Sequence, residues 1–304
     1  MNFVFAALLL AITTSLTCAL PGTFLVLRRQ AMLVDAMSHA VLPGIVLGAF
    51  LSGSTYSPIM VLLAAIFGLI VVLGANFLQS TGRLAEDASQ GVVFPLLFSG
   101  GVIMLSTALA EVHICEDTVL TGDLNLLALD TERLVIGNLD FGPHAMWMLL
   151  IVLLLNALFL GFTYKVMQLG TFDRESAKVI GFPIRLIETL FMVLVALTIV
   201  VAFSTAGAIL VIALLVTPAA TAILLSNSLS RVIALTVLIS VVTATIGFFV
   251  AWHFNLATSA MMAFTDGALF CLVLLAITVK RKWEARKSSL PPCLDEHLAD
   301  AKRD

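Results

Sequence analysis

Residues 189–230 read TLFMVLVALTIVVAFSTAGAILVIALLVTPAATAILLSNSLS, without a single Asp, Glu, Lys or Arg. A helix that crosses a bilayer needs about 20 apolar residues, so this stretch is long enough for two of them. Near its middle, the small and polar run Ser204-Thr205-Ala206-Gly207 is typical of a turn. The stretch therefore predicts two membrane helices joined by a short loop.

The rest of the chain repeats this pattern. Stretches without acidic or basic residues also occupy residues 1–27, 36–82, 88–110, 141–164 and 232–265. The second of these again holds two spans, divided by Ser52-Gly53-Ser54-Thr55 and Pro58. The composition is 61% hydrophobic and 12% charged, against roughly 45–50% and about 25% in soluble domains. An ordinary soluble protein is excluded.

The fold class that follows is an all-α polytopic membrane protein of about eight to nine transmembrane helices. The nine spans are predicted at residues 3–27, 31–51, 58–78, 91–110, 143–164, 186–204, 207–225, 232–252 and 259–279. Residues 1–279 then form one transmembrane domain. The tail at residues 280–304, with mixed charge and Pro291-Pro292, is expected to be disordered.

The distribution of basic residues predicts the orientation. With nine spans, every Lys and Arg except Arg133 lies on one side of the membrane. The positive-inside rule then places the N-terminus outside and the tail in the cytoplasm. An alternative keeps the N-terminus inside by breaking the chain at Pro21-Gly22, but it buries Arg28 and Arg29 in a re-entrant segment. No basic residue precedes the first span, which argues against a signal peptide, including a lipoprotein signal ending at Cys18.

Several functions are excluded by what the sequence lacks. The net charge is -3, and no basic cluster lies in a folded region, so nucleic acid is not an expected partner. The four cysteines are scattered without a CxxC pair, which indicates neither a disulfide framework nor a structural zinc site. No Walker A, GxGxxG, GxSxG or HExxH pattern is present, and no nucleophile and base stand at a convincing spacing. The chain is not expected to be an enzyme, and energy from ATP would have to come from a partner.

Asp35 and His39 are the main candidates for a functional site. They stand at i and i+4 in the second predicted helix, so their side chains share one face, about 40° apart. Gly44 and Gly48 lie on the opposite face, where they allow close packing on another helix. Burying either charged group costs at least about 3 kcal/mol, which favours a role in metal or proton handling. The alternative is that Asp35 only pairs with Arg28 or Arg29.

Other polar residues near the spans carry weaker signals. Asp266 and Glu188 each stand alone, which is more typical of helix packing or of the membrane interface. The acidic segment at residues 111–142 contains His113, Cys115, Glu116 and Asp117, but their alternation is not a known zinc spacing. Such a segment is more typical of a solvated loop. It could still attract cations or a basic partner by electrostatic steering.

A short amphipathic helix is predicted between the fifth and sixth spans, from Phe172 to Gly181. Asp173 is a suitable N-cap, Glu175 suits the first turn, and Gly181 followed by Pro183 indicates a stop. On the predicted topology this helix lies at the cytoplasmic face. It either docks a cytoplasmic subunit or simply connects two spans, and the pattern alone leaves both open.

Three segments together resemble the membrane permeases of metal-ion ABC transporters, the importers of manganese, zinc or iron. They read GTFLVLRRQAMLVDAMSHAVLPG at residues 22–44, FDRESAKVIG at residues 172–181 and GAILVIALLVTPAATA at residues 207–222. RLAED at residues 83–87 is also similar to the family's cytoplasmic loop. The resemblance extends from about residue 3 to residue 279, and the segment at residues 111–142 is its least similar part.

The resemblance implies a multi-pass permease of the bacterial inner membrane, without a permanently bound cofactor. It implies a second permease copy or a related permease, a pair of cytoplasmic ATP-binding subunits and an extracytoplasmic metal-binding protein as partners, besides membrane lipid. Asp35 and His39 would line the path of the transported Mn²⁺, Zn²⁺ or Fe²⁺. Phe172, Asp173, Ala177 and Gly181 would belong to the ATPase-coupling helix.

The chemistry of the Asp and His pair agrees with that resemblance. One chain supplies only two ligands, but two permeases around a central path would supply two carboxylates and two imidazoles. Oxygen and nitrogen ligands without a thiolate suit Mn²⁺, Zn²⁺ or Fe²⁺ rather than Cu⁺, and manganese is slightly favoured. The rival hypothesis is a proton-coupled secondary metal transporter that uses Asp35 and His39 as a relay.

Overall fold

A computed structural model describes residues 3–52, 58–82, 86–107, 124, 133–136 and 139–288. Within these ranges the chain is helical except for turns and one short hairpin. The helices are α1 (Phe3–Leu27), α2 (Ala31–Ser52), α3 (Pro58–Ser80), α4 (Glu86–Thr107), α5 (His144–Phe172), α6 (Arg174–Val179), α7 (Ile184–Ala206), α8 (Ala208–Leu225), α9 (Leu229–Phe254) and α10 (Thr258–Ser288). The hairpin pairs β1 (Arg133–Ile136) with β2 (Leu139–Pro143) in antiparallel register.

The predicted fold class is confirmed. In the described part of the chain, eight helices are long and apolar enough to cross a membrane, namely α1, α2, α3, α5, α7, α8, α9 and α10. The ninth predicted span corresponds to α4, whose apolar run Ala88–Met104 is shorter. Because α4 packs against both α2 and α3, it belongs to the same bundle. The chain is thus a polytopic membrane protein.

The turn predicted between the two helices of the stretch at residues 189–230 is present. α7 and α8 are separated by Gly207 alone, whose φ of 79° lies in the region that favours glycine. In the stretch at residues 36–82, α2 ends at Ser52 and α3 begins at Pro58, and residues 53–57 between them lie outside the described part. Both predicted breaks therefore coincide with boundaries between helices.

Two helices continue beyond their predicted ends. The fifth span was expected to stop at residue 164, but α5 continues to Phe172. The tail was expected to be disordered from residue 280, but α10 continues to Ser288, and residues 289–304 lie outside the described part. In both cases polar and charged residues extend an apolar helix past the length of a bilayer crossing, because nothing in their sequence breaks the helix.

α1 lies at the centre of the bundle and packs on α5, α8 and α9. It runs unbroken through Pro21, so the break required by the alternative orientation is not present in this helix. A Cβ on the next residue, Gly22, would lie 1.9 Å from the carbonyl oxygen of Leu215 on α8. Only glycine allows the two backbones to approach so closely.

Most of the acidic segment at residues 111–142 lies outside the described residues. His113, Cys115, Glu116 and Asp117 fall there, so their expected role is not addressed by the structure. The hairpin of β1 and β2 occupies the end of the segment, directly before α5. No strand was predicted at this place.

Candidate metal site

The structure places Asp35 and His39 side by side on α2. The Nε2 atom of His39 lies 3.5 Å from Oδ1 of Asp35, and the two side chains are 43% and 38% exposed for Asp35 and His39, respectively. The i and i+4 spacing gives this proximity directly, as predicted. Both polar ends are therefore accessible on one face of a membrane helix, although the flanking residues Val34 and Ala40 are fully buried.

Two aromatic rings of α4 hold the imidazole of His39. Phe94 stacks on it, with ring centroids 5.5 Å apart and an angle of 25° between the planes. Phe98 meets it edge to face at 5.9 Å. Both rings come from a helix that is distant in sequence, so no local signal could have identified them. Their own i and i+4 spacing puts them on one face of α4, which is the face that meets α2.

The glycine face of α2 packs on α3, as the helical geometry predicted. A Cβ on Gly44 would lie 2.4 Å from the Cα atom of Ala64, and a Cβ on Gly48 would lie 2.6 Å from the Cα atom of Met60. These distances are too short for any larger side chain. Close packing on one side of α2 thus fixes the helix whose other side presents Asp35 and His39.

Neither arginine of the α1–α2 turn forms an ion pair with Asp35. Nη1 of Arg28 instead lies 3.5 Å from Oε1 of Glu188 on α7, and its Nε donates to Oγ1 of Thr171 at 3.2 Å. The guanidinium also lies over the ring of Phe191. The alternative in which Asp35 only neutralises Arg28 or Arg29 is therefore not found among the described residues. Glu188 has the interface role expected of it.

Asp266 is the other carboxylate inside the bundle. It lies on α10, is 2% exposed, and neither of its oxygens accepts a hydrogen bond from a described residue. Thr243 of α9 is its polar neighbour, but the hydroxyl of Thr243 donates to the backbone carbonyls of Ile239 and Ser240. Asp266 does not join Asp35 and His39, and its role in helix packing stays a prediction.

The described residues of one chain do not complete a metal site. The described residues contain no group of three or more His, Cys, Asp or Glu side chains that could hold a metal ion. Asp35 and His39 supply one oxygen and one nitrogen ligand, and most transition-metal sites have four or more ligands. The remaining ligands must come from water, from residues outside the described part of the chain or from another subunit.

The loop between α5 and α7 contains the predicted short helix, with narrower bounds. Phe172 is the last residue of α5, Asp173 follows as an N-cap, and α6 covers Arg174–Val179. Oδ1 of Asp173 accepts the backbone N–H of Ser176 at 3.0 Å, and Oδ2 accepts its hydroxyl. These hydrogen bonds lower the pKa of Asp173. Gly181 ends the turn with a φ of 86°.

This loop presents apolar side chains to its surroundings. Ala177 is fully buried against the bundle and anchors α6. The exposed apolar side chains of the loop belong to Phe172, Val179, Ile180 and Phe182. Phe172 alone is 64% exposed. Such a surface suits a docking site, and it also suits a connector that lies in the membrane interface, so both alternatives stay open.

The helix bundle defines a polytopic membrane protein. Its accessible Asp35 and His39 pair offers one oxygen and one nitrogen ligand to a cation. The family model described as the ABC 3 transport family matches residues 1–277. The chain therefore belongs to the ABC 3 transport family, which confirms its resemblance to metal-ion ABC permeases.

The individual comparisons agree with this assignment. The chain is 39% identical over 265 residues to the manganese transport system membrane protein MntD of Bacillus subtilis, covering 87% of this chain and 88% of MntD. It is 39% identical over 268 residues to the zinc transport system membrane protein TroD of Treponema pallidum, covering 88% and 72%. It is also similar to the solved structure of PsaBC from Streptococcus pneumoniae in complex with Fab. The TM-score is 0.73 with 27% identity, over 90% of this chain and 91% of that chain.

Proposed function

We propose that this chain is the membrane permease of an ATP-driven importer of divalent transition-metal ions, manganese or zinc and alternatively iron. The observation that carries the proposal is the Asp35 and His39 pair, 3.5 Å apart and accessible inside a membrane bundle of the ABC 3 transport family. An accessible carboxylate and imidazole at this depth are costly unless they bind something. The names of MntD and TroD support manganese and zinc as the cargo.

Two permease subunits complete the site in this proposal. A second copy, or a related permease, brings its own Asp and His to the same central path, so that four oxygen and nitrogen ligands surround the ion. The ring contacts of Phe94 and Phe98 keep the imidazole of His39 in place. Since each chain supplies only two ligands, a small movement between the subunits breaks the site and releases the ion.

The loop around α6 couples transport to ATP hydrolysis in this proposal. The basic residues at the inner helix ends place the loop in the cytoplasm by the positive-inside rule. Its exposed apolar residues, which include Phe172, then face a pair of ATP-binding subunits. An extracytoplasmic metal-binding protein delivers the ion on the opposite side of the bacterial inner membrane. The chain itself carries no ATP-binding motif.

The test is uptake in a defined system. Neighbouring genes are first inspected for a P-loop ATPase and a solute-binding protein, and the chain is then reconstituted with them in liposomes. The proposal expects radioactive manganese or zinc to accumulate only when ATP is present on the ATPase side. Accumulation driven by a proton gradient without the ATPase would contradict it and would identify a secondary transporter. The same liposomes with Asp35→Asn protein serve as the matched control.

A further inference from the structure

A cavity of about 930 Å³ lies at one end of the bundle, and neither Asp35 nor His39 lines it. It is bounded by the end of α1, the end of α3, the end of α5 and the start of α7. The basic residues place these four helix ends on the cytoplasmic side of the membrane.

Positive charge dominates the described lining of the cavity. The charged side chains in this part of the lining are those of Arg28, Arg29, Arg185 and Glu188. Arg28 and Glu188 neutralise each other through their 3.5 Å contact. Arg29 and Arg185 are exposed, and neither forms an ion pair with a described residue. Two guanidinium groups therefore face the cavity without a counter-charge from this part of the chain.

Arg29 is held at the end of α1 by a closed helix terminus. It has a φ of 60°, in the left-handed region. The backbone N–H of Gln30 donates to the carbonyl of Leu25 at 2.9 Å, and the N–H of Arg29 donates to the carbonyl of Val26 at 3.0 Å. A left-handed residue with these hydrogen bonds is a common way to end a helix. The backbone that carries Arg29 beside the cavity is therefore well defined.

The walls of the cavity have the character of a lipid headgroup site. Asn76, Gln79 and Thr189 contribute neutral polar groups, while Leu73 and Phe77 of α3 are exposed apolar side chains on the same wall. Basic pockets between membrane helices on the cytoplasmic side bind anionic headgroups. An acyl chain beside Leu73 and Phe77 would remain in an apolar environment while the phosphate meets the arginines.

The geometry points to a binding site for a phosphate group in this cavity, held by Arg29 and Arg185 and supplied by an anionic phospholipid of the cytoplasmic leaflet. Arginine suits this role because its planar guanidinium donates two parallel hydrogen bonds to phosphate oxygens. Arg28, fixed by Glu188 and Thr171, forms the rigid floor of the site. The site is separate from the metal path and does not depend on the transported ion.

The test is lipid binding to the full-length protein, measured by native mass spectrometry in detergent. Phosphatidylglycerol is titrated against phosphatidylcholine with the same acyl chains. The wild type is expected to prefer phosphatidylglycerol, and Arg29→Gln with Arg185→Gln should weaken that binding at least about tenfold. Arg231→Gln is the matched control, because Arg231 is exposed at the start of α9 and outside the cavity.

Further arms separate the possible sources of the phosphate. The variant with Arg29→Lys and Arg185→Lys keeps both charges but loses the paired guanidinium donors, so it should bind less tightly than the wild type and more tightly than the Gln variant. Binding above that of the Gln variant distinguishes lost charge from damaged folding. Failure of inorganic phosphate in large excess to displace the lipid supports the lipid source, and full displacement overturns it.

Equal phosphatidylglycerol binding by the wild type and the Gln variant overturns the site. Loss of a co-purified ATPase with unchanged lipid binding also overturns it, since the arginines would then contact that subunit. Because binding in detergent needs neither transport nor a particular orientation, failure of the proposed function leaves this test intact.

Discussion

The Nε2 atom of His39 and the Oδ1 atom of Asp35 lie 3.5 Å apart on successive turns of α2. They occupy the face opposite Gly44, which packs on the backbone of α3 at Ala64. One helix thus combines a polar face that can bind a cation with a small-residue face that fixes its position. This arrangement predicts that substitutions on either face of α2 impair the protein.

Removing either ligand should abolish metal uptake without loss of the protein. Asp35→Asn keeps the size of the side chain but removes its charge, and His39→Ala removes the nitrogen ligand. We expect each to reduce radioactive manganese and zinc uptake more than about tenfold at matched membrane levels, since even outer-shell changes at metal sites cost 10–100-fold. Asp266→Asn and His253→Ala are matched controls that should retain uptake. Uptake near the wild-type rate in the His39→Ala protein would contradict the assignment of the pathway.

Gly44→Ala should destabilise the bundle, although it changes no ligand. The new Cβ would lie 2.4 Å from a backbone atom of Ala64, which cannot move aside like a side chain. Overpacking of this kind costs about 1–3 kcal/mol, and thermal unfolding in detergent measures it. Gly161→Ala is the control, because a Cβ there meets nothing within 4 Å. Equal melting temperatures for both variants would show that α2 and α3 can separate without cost.

Phe172→Asp should weaken association with the ATPase. The ring is exposed at the end of α5, beside α6, and aromatic side chains of this kind often dominate the free energy of an interface. We expect at least about tenfold less ATPase to co-purify, because a charge would replace an apolar contact. Trp283→Asp changes another exposed aromatic residue, on the end of α10 that the positive-inside rule predicts to be cytoplasmic, and should leave co-purification unchanged. Normal association and normal transport in the Phe172→Asp protein would reduce the loop to a connector.

The N-cap of α6 should depend on the charge of Asp173 only in acid. Ser176 lowers the pKa of Asp173 in the folded protein, so the stabilisation is fully present above the unfolded pKa of about 3.9 and is lost as the pH falls through the lower folded pKa. Between pH 5 and pH 8 we expect constant amide hydrogen-exchange protection across Arg174–Val179, measured by mass spectrometry. Asp173→Ala should lose protection at every pH, whereas Asp173→Asn, which also caps well, should retain it. Protection that changes with pH in this window would require a different titrating group.

The orientation predicts which loops an impermeant thiol reagent reaches on intact cells. Single cysteines are introduced by Leu256→Cys, in the exposed turn between α9 and α10, and by Ile180→Cys, in the exposed loop after α6. In a background without the four native cysteines, the first should be labelled and the second should not. Permeabilised cells, in which both become labelled, provide the control. The reverse pattern would place the N-terminus inside and contradict the nine-span topology.

The sequence alone determined the fold class, the turns and the composition of the candidate site. Long stretches of apolar residues without charges predict helices that cross a membrane. Small, polar, glycine or proline residues, such as Gly207, mark the boundaries between these helices. Both properties depend only on the local sequence. The proximity of Asp35 and His39 also followed from the sequence, since the geometry of one helix sets it. The position of α6 also followed from the sequence, because Asp173 identifies its N-cap and Gly181 identifies its end.

Only the tertiary structure decided which helices meet. Phe94 and Phe98 touch His39, and Arg28 pairs with Glu188 rather than with Asp35, across separations that no local pattern encodes. An apolar membrane helix is hydrophobic on every side. Small residues can indicate a packing face, as on α2, but the sequence does not reveal which helix packs against that face. That choice depends on the close approach of backbones at small residues such as Gly22 and Gly44, and these contacts form only when the whole bundle has assembled.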